Sequence, residues 1–174
     1  MFPSANGGSV SLPPTQLGVI NVPVAISNIN TEQTLLTLPV PANTMGINGR
    51  IILDLLGNNV AGLVPPTLLF KCKFGATSLT VVAPLVTLAS QTGLWRMRFE
   101  IMNLGVTNSQ NLTAVLSGHI ATALATVAEE SYYNQGTSAI DTTAIQNIVV
   151  TLTPGSVVAT NTTNLLGASL QLLK

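Results

Sequence analysis

His119 is the only histidine in the chain, and histidine is the side chain best suited to move protons near neutral pH. As a catalytic base it would need an orienting carboxylate and a nucleophile within reach. Its neighbours instead read as a strand, with Val115, Ser117 and His119 on the face opposite Leu116. A place at a surface between subunits is expected. Cys72 is the single cysteine, which excludes an internal disulfide and a cysteine-based zinc site. It lies between Lys71 and Lys73 and points with Phe70 and Phe74, so it is expected to pack as a small hydrophobe. Glu129 and Glu130 are adjacent, and adjacent strand residues face opposite ways, which suits them poorly to shared acid–base work. They are expected in a solvated turn.

Asp141-Thr142-Thr143 offers one carboxylate and two hydroxyls, too few oxygen ligands for calcium. We expect a structural turn, with Asp141 accepting hydrogen bonds from the amides that follow it. Arg96 and Arg98, with Lys71 and Lys73, would form a small basic patch if their strands were neighbours. Pairing with Glu100 or Asp54 across strands is the expected arrangement. Two sites, Asn111-Leu112-Thr113 and Asn161-Thr162-Thr163, match the glycosylation sequon in a chain rich in Asn and Thr, and are expected by coincidence. Tyr132-Tyr133 carries more information, because aromatic residues make up only 4% of the chain. Tyrosine gives a large amphipathic contact at low entropic cost, so Tyr132 and Tyr133, with His119, are the expected subunit-interface residues. No residue set implies a metal, a cofactor or an enzyme.

These residues sit in 174 positions, enough for one domain. Apolar residues are 47% of the chain, which supports a core, while charged residues are 7% against about a quarter in soluble proteins. Six basic and six acidic side chains cancel, and 22 Thr and 15 Asn supply much of the polarity. Six basic residues spread along the chain cannot readily replace phosphate counterions, so no nucleic-acid partner is expected. Apolar stretches such as Leu35–Val40 and Ile120–Ala128 are too short for a membrane span. The start Met-Phe-Pro-Ser-Ala-Asn-Gly-Gly lacks a basic and apolar leader, so assembly in a reducing cytoplasm is expected. Neutral hydroxyls and amides do not repel neighbours, and a β-rich chain with so few edge charges invites association. Its surface is expected to be committed to fixed neighbours.

Residues 1–16, with Pro3, Gly7, Gly8, Pro13 and Pro14, read as an extended arm able to span about 50 Å. Residues 17–174 then read as eight to ten strands. Leu17–Ile29 is broken by Pro23, Thr34–Val40 is closed by prolines, and Arg50–Leu56 is ended by Gly57-Asn58-Asn59. Thr67–Phe74 and Leu94–Asn103 alternate strictly, with Trp95, Met97, Phe99 and Ile101 inward and Arg96, Arg98 and Glu100 outward. Ser78–Val82 is short, and Asn111–Ala121 turns Leu112, Ala114, Leu116 and Ile120 to one face. Ala121–Tyr133 reads as strand running into loop, and Ile145–Thr153 and Asn164–Leu173 close the chain. No amphipathic helix separates these strands, which excludes a parallel βαβ sheet. The expected fold is all-β: an antiparallel jelly-roll β-sandwich with an extended N-terminal arm.

The strand and turn at Thr31–Met45, the segment Gly93–Glu100, and the closing series Ile140–Ala144, Ile148–Leu152 and Ala159–Thr162 resemble the jelly-roll structural proteins of tailed bacteriophages. These include the decoration or cement proteins of phage heads and similar β-domains on fibres and spikes. The resemblance covers residues 31–174 through diffuse patterns, and the arm has no comparable match. It implies a homotrimer on the outer capsid surface of a virion. It also implies contact with the major capsid protein through the base and through an arm bearing Met1, Phe2, Pro3, Val10, Leu12, Pro13 and Pro14. A last strand ending at Leu172-Leu173-Lys174 favours a compact decoration module over a fibre fragment. The competing reading is a receptor- or glycan-binding head of a tail fibre or spike.

Overall fold

The computed structural model describes residues 15–21, 23–63, 67–86, 92–123, 126–157 and 160–174, with backbone only for 82–86, 119–123 and 126–130. The arm residues Met1–Pro14 lie outside the described residues. Eleven strands follow in order: β1 Thr15–Ile20, β2 Val24–Ser27, β3 Gln33–Val40, β4 Arg50–Val60, β5 Thr67–Phe74, β6 Thr77–Val86, β7 Thr92–Asn103, β8 Gln110–Ala123, β9 Thr126–Ser138, β10 Gln146–Pro154 and β11 Thr162–Leu173.

The strands form two antiparallel sheets, β1-β11-β4-β7-β8-β9 with β2 also on β11, and β3-β10-β5-β6. Setting β8 and β9 aside, the chain makes four nested antiparallel pairs: β1 and β2 with β11, β3 with β10, β4 with β7, and β5 with β6. Folding one long hairpin of such pairs into two sheets gives a jelly roll. The β8–β9 hairpin is an addition that widens the larger sheet beyond β7.

Alternation explains the core. Leu68, Phe70, Cys72 and Phe74 of β5 are fully buried and meet Trp95, Met97, Phe99 and Ile101 of β7 across the sandwich. Phe70 packs obliquely on Trp95 with ring centroids 5.0 Å apart, and Cys72 Sγ lies 3.2 Å from Met97 Sδ. On one side the sheet edges are joined, with Asn134 Nδ2 of β9 donating to the Thr80 carbonyl of β6 at 2.6 Å and the Thr77 and Ser138 hydroxyls 2.9 Å apart. On the other side half-buried Leu17, Ile20, Val24 and Leu38 cover the core.

Several expected boundaries move. Thr15 and Gln16 belong to β1, paired with Leu172 and Gln171, and Pro23 separates β1 from β2 on the same edge of β11. Gly57-Asn58-Asn59 does not end β4. A β-carbon at Gly57 would lie 2.0 Å from Trp95 Cζ2, so glycine there makes room for the indole inside a continuing strand. β6 reaches Val86, and the stretch read as strand into loop is the end of β8 followed by β9.

Candidate functional site

Two surfaces stand out, and the topology builds both. The first is one end of the sandwich, where the β3–β4 loop (41–49), the β7–β8 loop (104–109) and the β9–β10 loop (139–145) meet. Buried polar side chains at the ends of these strands tie the loops together. Asn103, Gln110 and Thr142 are buried polar residues. Gln110 Nε2 donates to Asn103 Oδ1 (3.0 Å) and to the Ile140 carbonyl (2.9 Å), and Gln110 Oε1 accepts from Ile140 N (3.1 Å). Asn103 Nδ2 donates to the Gly46 carbonyl and to Thr142 Oγ1, which donates to the Thr107 carbonyl at 2.8 Å. A satisfied buried network of this kind holds its members in one arrangement. The loops are thereby fixed to one another, and they present Ile47, Leu104, Val106 and Ile145 outward, Ile145 at 68% exposure. Asp141 is the only charge in the three loops. Thr15 pairs with Leu172 at this same end, so residues 1–14 are attached here.

Asp141 Oδ1 accepts from Thr143 N at 2.9 Å and from Thr143 Oγ1 at 2.7 Å, closing a turn that starts β10. These two bonds hold the Asp141 carboxyl below its usual range. Thr142 N donates to the Thr107 carbonyl and Asn43 N to the Thr142 carbonyl, so this turn ties all three loops.

The second surface is the outer face of the larger sheet. One register row crosses it: Val19, Ser169, Asp54, Arg98, Val115 and Tyr133. Arg98 holds Asp54 by two bonds of 3.0 Å, and this pairing raises the guanidinium above its usual value; Arg96 approaches Asp54 at 3.4 Å. Arg50 pairs with Glu100 at 2.6 Å. The two carboxylates of this face thus hold three arginines, which leaves one positive charge in excess among these five, while Leu56, Leu94 and Leu166 stand exposed around them. Leu166 is the extra residue of a bulge in β11. Next to it Gly167 has no side chain opposite Leu56, leaving an open groove of about 420 Å³ walled by Val19, Asp54, Leu56, Arg96 and Ser169.

The tyrosine pair divides. Tyr132 packs against the core, and Tyr133 stands on the outer face at 76% exposure. The backbone of His119 sits between Leu94 and Glu129 in the ladder. Glu129 and Glu130 are in β9, not in a turn. Lys71 and Lys73 lie on the smaller sheet and Arg96 and Arg98 on the larger, so the four do not form one basic patch. Among the described residues no group of three or more His, Cys, Asp or Glu side chains comes together. Sequence reading missed Glu32, whose carboxylate bridges Lys71 (2.7 Å), Lys73 (2.6 Å) and Thr151 (2.9 Å).

Family models and curated proteins give no match to the chain. Solved structures do. A CBM2 module from the evolved Dit of Lactobacillus casei BL23 phage J-1 is 11% identical, with a TM-score of 0.33 over 79% of this chain and 68% of that one. Metal-free lectin I-B4 from Griffonia simplicifolia is 8% identical, with a TM-score of 0.40 over 97% and 96%. The VP2 protein of infectious bursal disease virus, as a D431N mutant, is 11% identical, with a TM-score of 0.41 over 94% of this chain and 41% of that one. At these values the likeness is one of β-sandwiches and carries no function across. What distinguishes this sandwich is local: a nearly uncharged loop end tied by buried hydrogen bonds and an outer sheet face whose carboxylates are held by arginines of the same chain.

Proposed function

We propose that the protein is a structural component of a virion, a homotrimer that decorates the outer surface of a phage head by binding the major capsid protein. The observation that carries the reading is the loop end. Three loops locked by Asn103, Gln110 and Thr142 hold Ile47, Leu104, Val106 and Ile145 outward, and residues 1–14 start from the same place. A surface of fixed apolar groups with one charge suits permanent contact with another protein and offers little to a nucleic acid or a small charged substrate. Binding to an assembled shell stabilises that shell by the binding free energy, and three linked contacts add avidity. The role needs no catalysis and no cofactor.

The test mixes purified protein with heads that lack it and measures co-sedimentation. Removing residues 1–14, or replacing Ile145 with Asp, is expected to leave melting unchanged and to abolish attachment. Full attachment of a chain carrying both changes would overturn the reading. The cut is placed before Thr15 because Thr15 and Gln16 are paired in β1.

A second reading, a receptor- or glycan-binding head on a tail fibre, draws on Tyr133, whose exposed ring lies on the strand that also turns Ser131 and Gln135 outward. Glycan binding by the isolated protein that disappears in Tyr133→Ala would favour it.

A further inference from the structure

Resting on the trimeric reading above, we propose that the subunits join by a knob and a hole on the outer face of the larger sheet: Tyr133 of one copy fills the Gly167 groove of the next.

The knob is Tyr133, the most exposed aromatic ring among the described residues. The hole is the groove beside Gly167, apolar at Val19 and Leu56 and polar at Asp54 and Arg96. The occupant is a second copy of this chain, for three reasons. First, the chemistry matches: a tyrosine ring needs an apolar wall and a partner for its hydroxyl, and the groove offers Leu56 together with the Asp54 carboxylate. Asp54 accepts two bonds from Arg98 and one from Arg96, and of the roughly four acceptor positions of a carboxylate this leaves one, on Oδ2. Second, charge opposes it little, since the chain has a formal net charge of zero and Asp54 and Glu100 offset all but one of the three arginines of this face within each copy. Third, the geometry closes. Tyr133 and Asp54 lie in one register row, three strand spacings or about 14 Å apart. Knob and hole are different patches, so the contact is head-to-tail, and such contacts make rings when rotation alone relates the copies. Because both patches share a row, rotation about an axis parallel to the strands joins them without translation along it. Three sheets then face that axis, and all three loop ends emerge at one end of the trimer.

Sedimentation velocity tests this. The full chain is expected to sediment as a trimer, Tyr133→Ala and Leu56→Glu as monomers, and Tyr133→Phe as a trimer weakened by loss of the hydroxyl. Both substituted positions are exposed, and circular dichroism with thermal melting verifies that each variant is folded. Ile145→Asp is expected to remain trimeric while losing attachment to heads. A trimer retained in both Tyr133→Ala and Leu56→Glu overturns the knob and hole and leaves the decoration reading standing. A trimer lost in Ile145→Asp but kept in Tyr133→Ala moves the interface to the loop end and also overturns it. A monomeric full chain overturns both the trimer and its interface.

Discussion

Glu32 shows how a single side chain organises a sheet face. It follows β2, reaches over the smaller sheet and binds two lysines of β5 and a threonine of β10. The bonds from Lys71, Lys73 and Thr151 bring its pKa down to about 2 from an ordinary 4.5. A depressed carboxylate contributes stability above its unfolded value and loses it as pH falls toward the folded value. Acid unfolding is therefore expected to draw on Glu32 between about pH 4.5 and pH 2. Glu32→Gln should cost about 1 kcal/mol at neutral pH, reduced by solvent around the pair, and should flatten the acid limb of a urea-midpoint-against-pH curve. Cys72 gives a second outcome at this scale. Full burial pushes its thiol well above the ordinary value. A thiol reagent is expected to leave the native protein untouched and to label one thiol per chain after denaturation. The inward direction of Cys72 was legible from Phe70 and Phe74. Glu32 was not, because its partners are 39, 41 and 119 positions away in sequence.

Elements were legible where polarity alternates and obscure where it does not. β5 and β7 interleave Lys or Arg with large apolar residues, and their directions follow from that contrast. Residues 121–128 are almost all small or apolar, so period 2 leaves no trace there, and the sequence pattern suggests strand running into loop over 121–133 where β9 begins at Thr126. Gly57-Asn58-Asn59 carries turn composition yet lies mid-strand, because packing against Trp95 decides the position. Gly57→Val is expected to displace the indole and cost 3 kcal/mol or roughly that, seen as a lower urea midpoint. The loop network was equally hidden: Asn103, Gln110, Ile140 and Thr142 meet only after the jelly roll has formed. Asn103→Ala should cost about 2 kcal/mol, since the Gly46 carbonyl and Gln110 amide lose a buried partner. Amide exchange is expected to quicken in all three loops at once.

At the scale of the molecule, low charge has a structural explanation. Among the described residues most charged side chains are used in ion pairs, Asp54 with Arg98 and Arg96, Arg50 with Glu100, Glu32 with Lys71 and Lys73. Composition suggests a surface suited to association but not where, and the two candidate surfaces became visible only in the topology. Raising salt about tenfold, from about 0.05 to about 0.5 M, shortens the Debye length about threefold and is expected to change neither the mass of the proposed trimer nor head attachment appreciably, because both proposed contacts are mainly apolar.

The placement of β1 has a mechanical consequence. The strand starts at the loop end, at Thr15, and runs away from it alongside β11. Tension applied through residue 14 along the strand direction would slide β1 against β11 and strain the bonds of that ladder together, whereas a sideways tug would peel them in turn. A tether fixed in this way is strongest against a pull straight out of the end from which it emerges.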